Sequence, residues 1–132
     1  MDRSAENDAQ APAVFLADGD QDLCDLYRLY FSRSGWRVET SGDGIECLAQ
    51  LRQSTPQVLI LDLQLLWGGA DGLLSVMRDN AALAEIPVIL TSTDTLPDAY
   101  SSLTSPPVVQ ALGKPFSLTV LLEAARAQLL KE

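Results

Sequence analysis

Apolar residues fall into short dense runs, and stretches with helical spacing separate them. Ala13–Ala17 carries no polar position and reads as a strand covered on both faces. Across Gln21–Arg33, Leu23, Leu26, Tyr27 and Tyr30 recur three to four residues apart, the stripe of an amphipathic helix. Gly35 sits where such a helix ends, at a C′-type position. Trp36–Thr40 alternates in the manner of a strand nearer a sheet edge, and Ser41-Gly42-Asp43-Gly44 reads as a turn. Ile45, Leu48, Ala49 and Leu51 mark a second helix, stopped before Pro56.

Gln57–Asp62 is another nearly wholly apolar strand, and Leu63–Ala70, with Gly68-Gly69, reads as an irregular loop. Asp71–Asp79 predicts a third helix with Leu73, Leu74 and Met77 inward. A fourth strand, Ile86–Leu90, leads into Thr91-Ser92-Thr93. Pro97–Leu103 predicts a short helix before Pro106-Pro107, and Val108–Leu112 a fifth strand. Ser117 then caps a last helix with Leu118, Leu121, Leu122, Ala125 and Leu129 on one face.

Strand and helix thus alternate five times within 132 residues, which predicts one doubly wound parallel α/β sheet. The expected organisation is a disordered tail over residues 1–11 and one folded domain over 12–132. Three of the strands stop at a charged residue: Asp18, Asp62 and Lys114. Strand carboxyl ends of an open parallel sheet gather at one rim, where ligands bind. Two carboxylates and one ammonium would meet there, an arrangement suited to a divalent metal and a phosphoryl group.

Composition narrows the alternatives. Nine basic against 18 acidic residues give a net charge of −9, which argues against a broad nucleic-acid footprint. No apolar run reaches the ~20 residues of a membrane-spanning helix, and Met1–Ala11 has no apolar core of a secretory signal. Cys24 and Cys47 are the only cysteines and there is no histidine, which disfavours zinc and haem sites and fits buried thiols in a reducing cytosol.

The segments VFLADGD, LILDLQ, PVILTS and GKPF, in that order at successive strand ends, resemble the receiver domain of bacterial two-component response regulators. Stand-alone chemotaxis-type regulators belong to the same family. The resemblance covers roughly Ala13–Leu130. It implies a flavodoxin-like five-stranded sheet of order 2-1-3-4-5 with helices on both faces. It also implies that Asp62 accepts a phosphoryl group from a phosphohistidine of a sensor kinase or phosphotransfer protein. Lys114 matches the lysine that pairs with the acceptor and then with the phosphoryl group, and Lys114-Pro115 the bond that is cis in the family. Ser92 matches the hydroxyl after the fourth strand, with Thr91 the fallback. Mg²⁺ would be held by Asp18, Asp62 and the backbone carbonyl of Gln64.

Three departures from the family pattern stand out. The acidic pair after the first strand reads Asp18-Gly19, so Gly19 stands where a carboxylate normally touches the metal. Asp20 is a candidate to rotate in, and Mg²⁺ binding is expected to weaken. After Asp62, Leu66 replaces the usual proline and Asp71-Gly72 arrives late, with Trp67-Gly68-Gly69 in the enlarged loop. Ala111 occupies the position of the usual switch aromatic, three residues before the lysine. A methyl has no rotamer to change, so signalling is expected to use another rearrangement, such as ordering of the segment around Pro97–Pro107.

The leading expectation is a cytoplasmic phosphoacceptor, not an enzyme in the ordinary sense, that signals through protein contacts without direct DNA or membrane binding. The alternative is a degenerate, phosphorylation-independent interaction module, supported by Gly19 and Ala111. More remote is an aspartyl phosphatase using Asp18-Gly19-Asp20 as its DxD motif. A flavodoxin-like electron carrier is disfavoured because no hydroxyl-rich phosphate loop follows the first strand.

Overall fold

A computed structural model describes residues 11–65, 69–92, 105–114 and 117–130. The first strand, β1 (Ala13–Ala17), feeds α1 (Gln21–Arg33), β2 (Arg37–Ser41) and α2 (Gly44–Gln53). Then follow β3 (Val58–Asp62), α3 (Gly69–Arg78), a 3₁₀ turn at Leu83–Glu85, β4 (Val88–Ser92), β5 (Val108–Gly113) and α4 (Leu118–Leu129). The strands form one parallel sheet of order β2-β1-β3-β4-β5, the doubly wound topology expected. The predicted helix over Pro97–Leu103, the tail to residue 10, Leu66, Trp67 and Pro115 lie outside the described residues.

Strand alternation sorts the core onto the two faces of the sheet. Phe15, Ala17, Leu59, Leu61, Val88 and Leu90 pack with Cys47 and Leu51 of α2 and with Ala70, Leu73, Leu74 and Met77 of α3. On the other face Val14, Leu16, Val58, Ile60 and Ile89 pack with Tyr27 and Phe31 of α1 and with Leu121, Leu122 and Ala125 of α4. β1, β3 and β4 are covered on both sides, which is why these runs contain almost no polar residues. β2 alternates exposed and half-buried positions because it is an edge strand.

Local chemistry sets the helix ends. Asp20 caps α1, its side chain accepting from the Leu23 N–H, and Asp43 caps α2 in the same way toward Glu46. Ser117 caps α4 through the Val120 N–H. At the end of α1, Gly35 has a φ of 93°, and the Gly35 and Trp36 N–H groups donate to the Ser32 and Phe31 carbonyls. This is a Schellman closure. Its hydrophobic contact is Trp36 edge-on to Phe31, with ring centroids 5.5 Å apart.

Several sequence expectations shift. The third helix begins at Gly69 rather than Asp71, because Ala70 joins Leu73, Leu74 and Met77 in one buried stripe. β4 starts later than Ile86 and takes in Thr91 and Ser92. In α4, Ala124 is buried while Leu129 is exposed, and in α1 the core face is Cys24, Tyr27 and Phe31 rather than Leu26. In α2, Ile45 is exposed and Cys47 and Leu51 point inward. Apolar type alone could not separate a core face from its flank in such short helices.

Candidate functional site

β1 and β3 are adjacent, so their parallel register carries Asp18 and Asp62 to the same rim. Both continue the Val14–Leu16 and Val58–Ile60 face by strand alternation. Lys114 arrives from the end of β5, its N–H donating to the Ser92 carbonyl at 2.7 Å. The Lys114 ammonium donates to Asp18 Oδ2 at 2.7 Å and lies 3.8 Å from Asp62 Oδ1. Residues separated by 96 positions thus form one compact charged cluster, with Asp18 and Asp62 both buried.

Asp62 is held by its own turn. Its Oδ1 accepts from the Gln64 N–H at 3.3 Å, and its carbonyl accepts from the Leu65 N–H. Burial pushes the Asp62 carboxyl above its ordinary value, and neighbouring Asp18 adds to the rise. The Lys114 charge and the Gln64 N–H act in the opposite direction without cancelling it. The carboxylate that the strand presents is therefore poorly solvated and flanked by like charge.

The two hydroxyl candidates are both buried within β4. Thr91 is the register partner of Asp62, and its carbonyl accepts from the Leu63 N–H at 2.8 Å. Ser92 is one position further along, at the rim, where its carbonyl anchors Lys114. Ala111 pairs with Leu90 on the edge strand β5 and is exposed.

The loop after β1 departs most from what the strand ends suggest. Asp20 donates its N–H to Asp18 Oδ1 at 2.9 Å, but its own carboxylate accepts from the Leu23 N–H at 3.1 Å and stands exposed at the head of α1. A Cβ on Gly19 would meet only the Gly42 carbonyl oxygen, at 3.8 Å. The missing side chain is therefore not compensated by neighbouring bulk.

Two supporting residues escaped the sequence reading. The Cys24 thiol donates to the Asp18 carbonyl at 3.3 Å, and Tyr27 is buried below the same carboxylates. Burial, reinforced first by Asp18 in each case, pushes the Cys24 thiol up to about 11 and the Tyr27 hydroxyl higher still. In the sequence Tyr27 reads only as part of an apolar helix stripe and Cys24 only as a buried thiol. Their position under Asp18 depends on how α1 crosses β1.

Comparison with known proteins assigns the chain to a family. The sequence matches the family model of the response regulator receiver domain over residues 14–126. The chain belongs to that family. It is a receiver domain of two-component signalling with the flavodoxin-like fold. It is 33% identical over 117 residues to the transcriptional regulatory protein TrcR of Mycobacterium tuberculosis, covering 88% of this chain and 44% of the relative. It is 28% identical over 117 residues to the response regulator MprA of Mycobacterium leprae, covering 88% of this chain and 50% of that one. The receiver thus spans about half the length of these curated relatives.

Solved structures share its fold. The receiver domain of the Francisella response regulator 1452 superposes with a TM-score of 0.80 at 22% identity, covering 89% of this chain and 95% of that one. The chemotaxis protein CheY4 of Vibrio cholerae gives 0.79 at 21%, covering 89% and 98%. Among the described residues no helix is long and apolar enough to cross a membrane.

Receiver domains typically bind Mg²⁺, and the residues present here fit that ion poorly. Mg²⁺ demands several hard oxygen ligands in octahedral geometry. Asp18 and Asp62 offer carboxylates, but Gly19 offers none, Asp20 is engaged in a helix cap, and the Lys114 ammonium sits on Asp18. Among the described residues no group of three or more His, Cys, Asp or Glu side chains could hold a metal ion.

Proposed function

We propose that this receiver accepts a phosphoryl group on Asp62 from a phosphohistidine of a sensor kinase or phosphotransfer protein, and signals by changed protein contacts. The observation that carries the reading is the meeting of Asp62, Asp18 and Lys114 at one rim. An Asp62 carboxylate oxygen forms the new bond to phosphorus. The phosphorus–nitrogen bond of the donor breaks, and its electron pair returns to the imidazole. Asp62 is a modest nucleophile, so positioning and charge neutralisation must supply the rate.

Each neighbour has a role in that step. The Gln64 N–H fixes the Asp62 carboxyl, and Lys114 can swing from Asp18 toward an incoming phosphoryl oxygen over a short distance. Poor solvation of Asp62 leaves its anion less stabilised and so more reactive toward phosphorus. Ser92, or Thr91 beside Asp62, is the hydroxyl assigned to a phosphoryl oxygen. Any turnover is self-catalysed phosphoryl transfer and dephosphorylation, so the chain acts as a cytoplasmic signalling domain rather than an enzyme. The phosphoryl signal would pass to a protein target, without direct contact with DNA or membrane.

Gly19 and the exposed Ala111 favour one second reading, an interaction module that needs no phosphorylation. Incubation with acetyl phosphate or phosphoramidate, followed by intact-mass measurement, separates the two. A gain of one phosphoryl mass that Asp62→Ala abolishes is the expected result. No gain on a folded protein supports the second reading. A gain retained in Asp62→Ala and lost in Asp18→Asn supports instead a phosphatase-like use of Asp18.

A further inference from the structure

We propose that Lys114 is the resident cation of this receiver, so that the rim, which lacks a carboxylate at Gly19, holds a divalent metal only weakly. The inference deepens the phosphoacceptor reading and rests on it for the identity of the rim, but its test needs no phosphorylation.

Three observations carry it. The first is charge. Asp18 and Asp62 together bring two negative charges, and the Lys114 ammonium, at 2.7 Å and 3.8 Å, already offsets one of them. A dication entering this pair must displace a short charge-assisted hydrogen bond for little net gain. The second is commitment. Asp20, the nearest spare carboxylate, would have to give up the Leu23 N–H at the head of α1 before it could turn inward. Losing such a cap weakens the start of the helix. The third is room. At Gly19 a Cβ meets nothing closer than 3.8 Å, and the backbone there does not have a φ in the left-handed region. A carboxylate at this position is sterically allowed.

Single substitutions should therefore move divalent affinity in a defined order. Binding of Mn²⁺ is followed by the loss of its free electron paramagnetic resonance signal, with Mg²⁺ as competitor, on the whole chain. Gly19→Asp is expected to bind at least about tenfold more tightly than the unaltered protein, because it restores a third carboxylate. Lys114→Gln is expected to tighten binding several-fold by freeing Asp18. Asp20→Asn, which keeps the cap, should leave affinity unchanged. Circular dichroism establishes that each variant is folded.

Submillimolar Mn²⁺ binding by the unaltered protein would overturn the proposal, and this result does not depend on any variant folding. Equal affinities of the unaltered protein and folded Gly19→Asp would also overturn it, as would a large loss in Asp20→Asn. Failure of Asp62 to accept a phosphoryl group, with the metal order intact, would remove the phosphoacceptor reading and leave this one standing.

Discussion

Asp62 is the residue at which burial and charge conflict most sharply. Its carboxyl is raised by desolvation and by Asp18 despite the nearby Lys114 ammonium. A carboxyl whose folded value lies above its unfolded one binds its proton more tightly when folded. Stability then falls as pH rises from the ordinary carboxylate range through that raised value, and the penalty is complete above it. Asp62→Asn removes the charge and should raise the melting temperature at about pH 7 by several degrees, the response to roughly 1 kcal/mol in a small domain. The gain should shrink as pH falls through the raised value of Asp62 and vanish below the ordinary carboxylate range. A gain independent of pH in thermal melts would show that Asp62 is not the titrating source. At this scale the sequence was informative about type and silent about state. It offered Asp18, Asp62 and Lys114 as strand-end charges and, through the family resemblance, paired Lys114 with Asp62, whereas the short hydrogen bond goes to Asp18 at 2.7 Å and Asp62 lies 3.8 Å away.

Among the elements, α1 links the fold to the site most directly. It follows directly on the Asp18–Asp20 loop, its Asp20 cap fixes that loop, and its Cys24 thiol donates to the Asp18 carbonyl. Asp20→Ala should cost about 1 kcal/mol in urea unfolding, whereas Asp20→Asn should cost almost nothing because either side chain can cap. An equal loss in both would mean that the charge, not the cap, matters. The end of α1 was readable from the local signal of Gly35, whereas Asp20, which caps its start, was read only as a candidate metal ligand and part of a DxD motif. α3 was misplaced at its start because the signal there, Ala70 in the core stripe, is a contact with the sheet and not a property of the residue.

For the whole molecule, one sheet with a covered face on each side makes the interior closed to reagents. Cys24 and Cys47 lie on opposite faces, both buried, with thiols pushed up by burial to about 11 and about 12. Thiolate is the reactive form, so labelling by a disulfide reagent at neutral pH should wait for unfolding. Both thiols should react promptly in denaturing urea and by orders of magnitude more slowly without it. Prompt labelling of the native protein would mean that a face of the sheet is open.

Periodicity determined the succession of strands and helices and the doubly wound class, because alternating cover by helices leaves its mark in every strand. It also identified the charged residues at strand ends, since a strand that ends at the rim can carry a polar residue there without burying it unpaired. Tertiary structure alone decided which partner Lys114 takes, how Asp20 spends its carboxylate, and that Gly19 leaves room for a side chain. Those outcomes depend on distances between groups far apart in the chain, and residue order does not encode such distances directly.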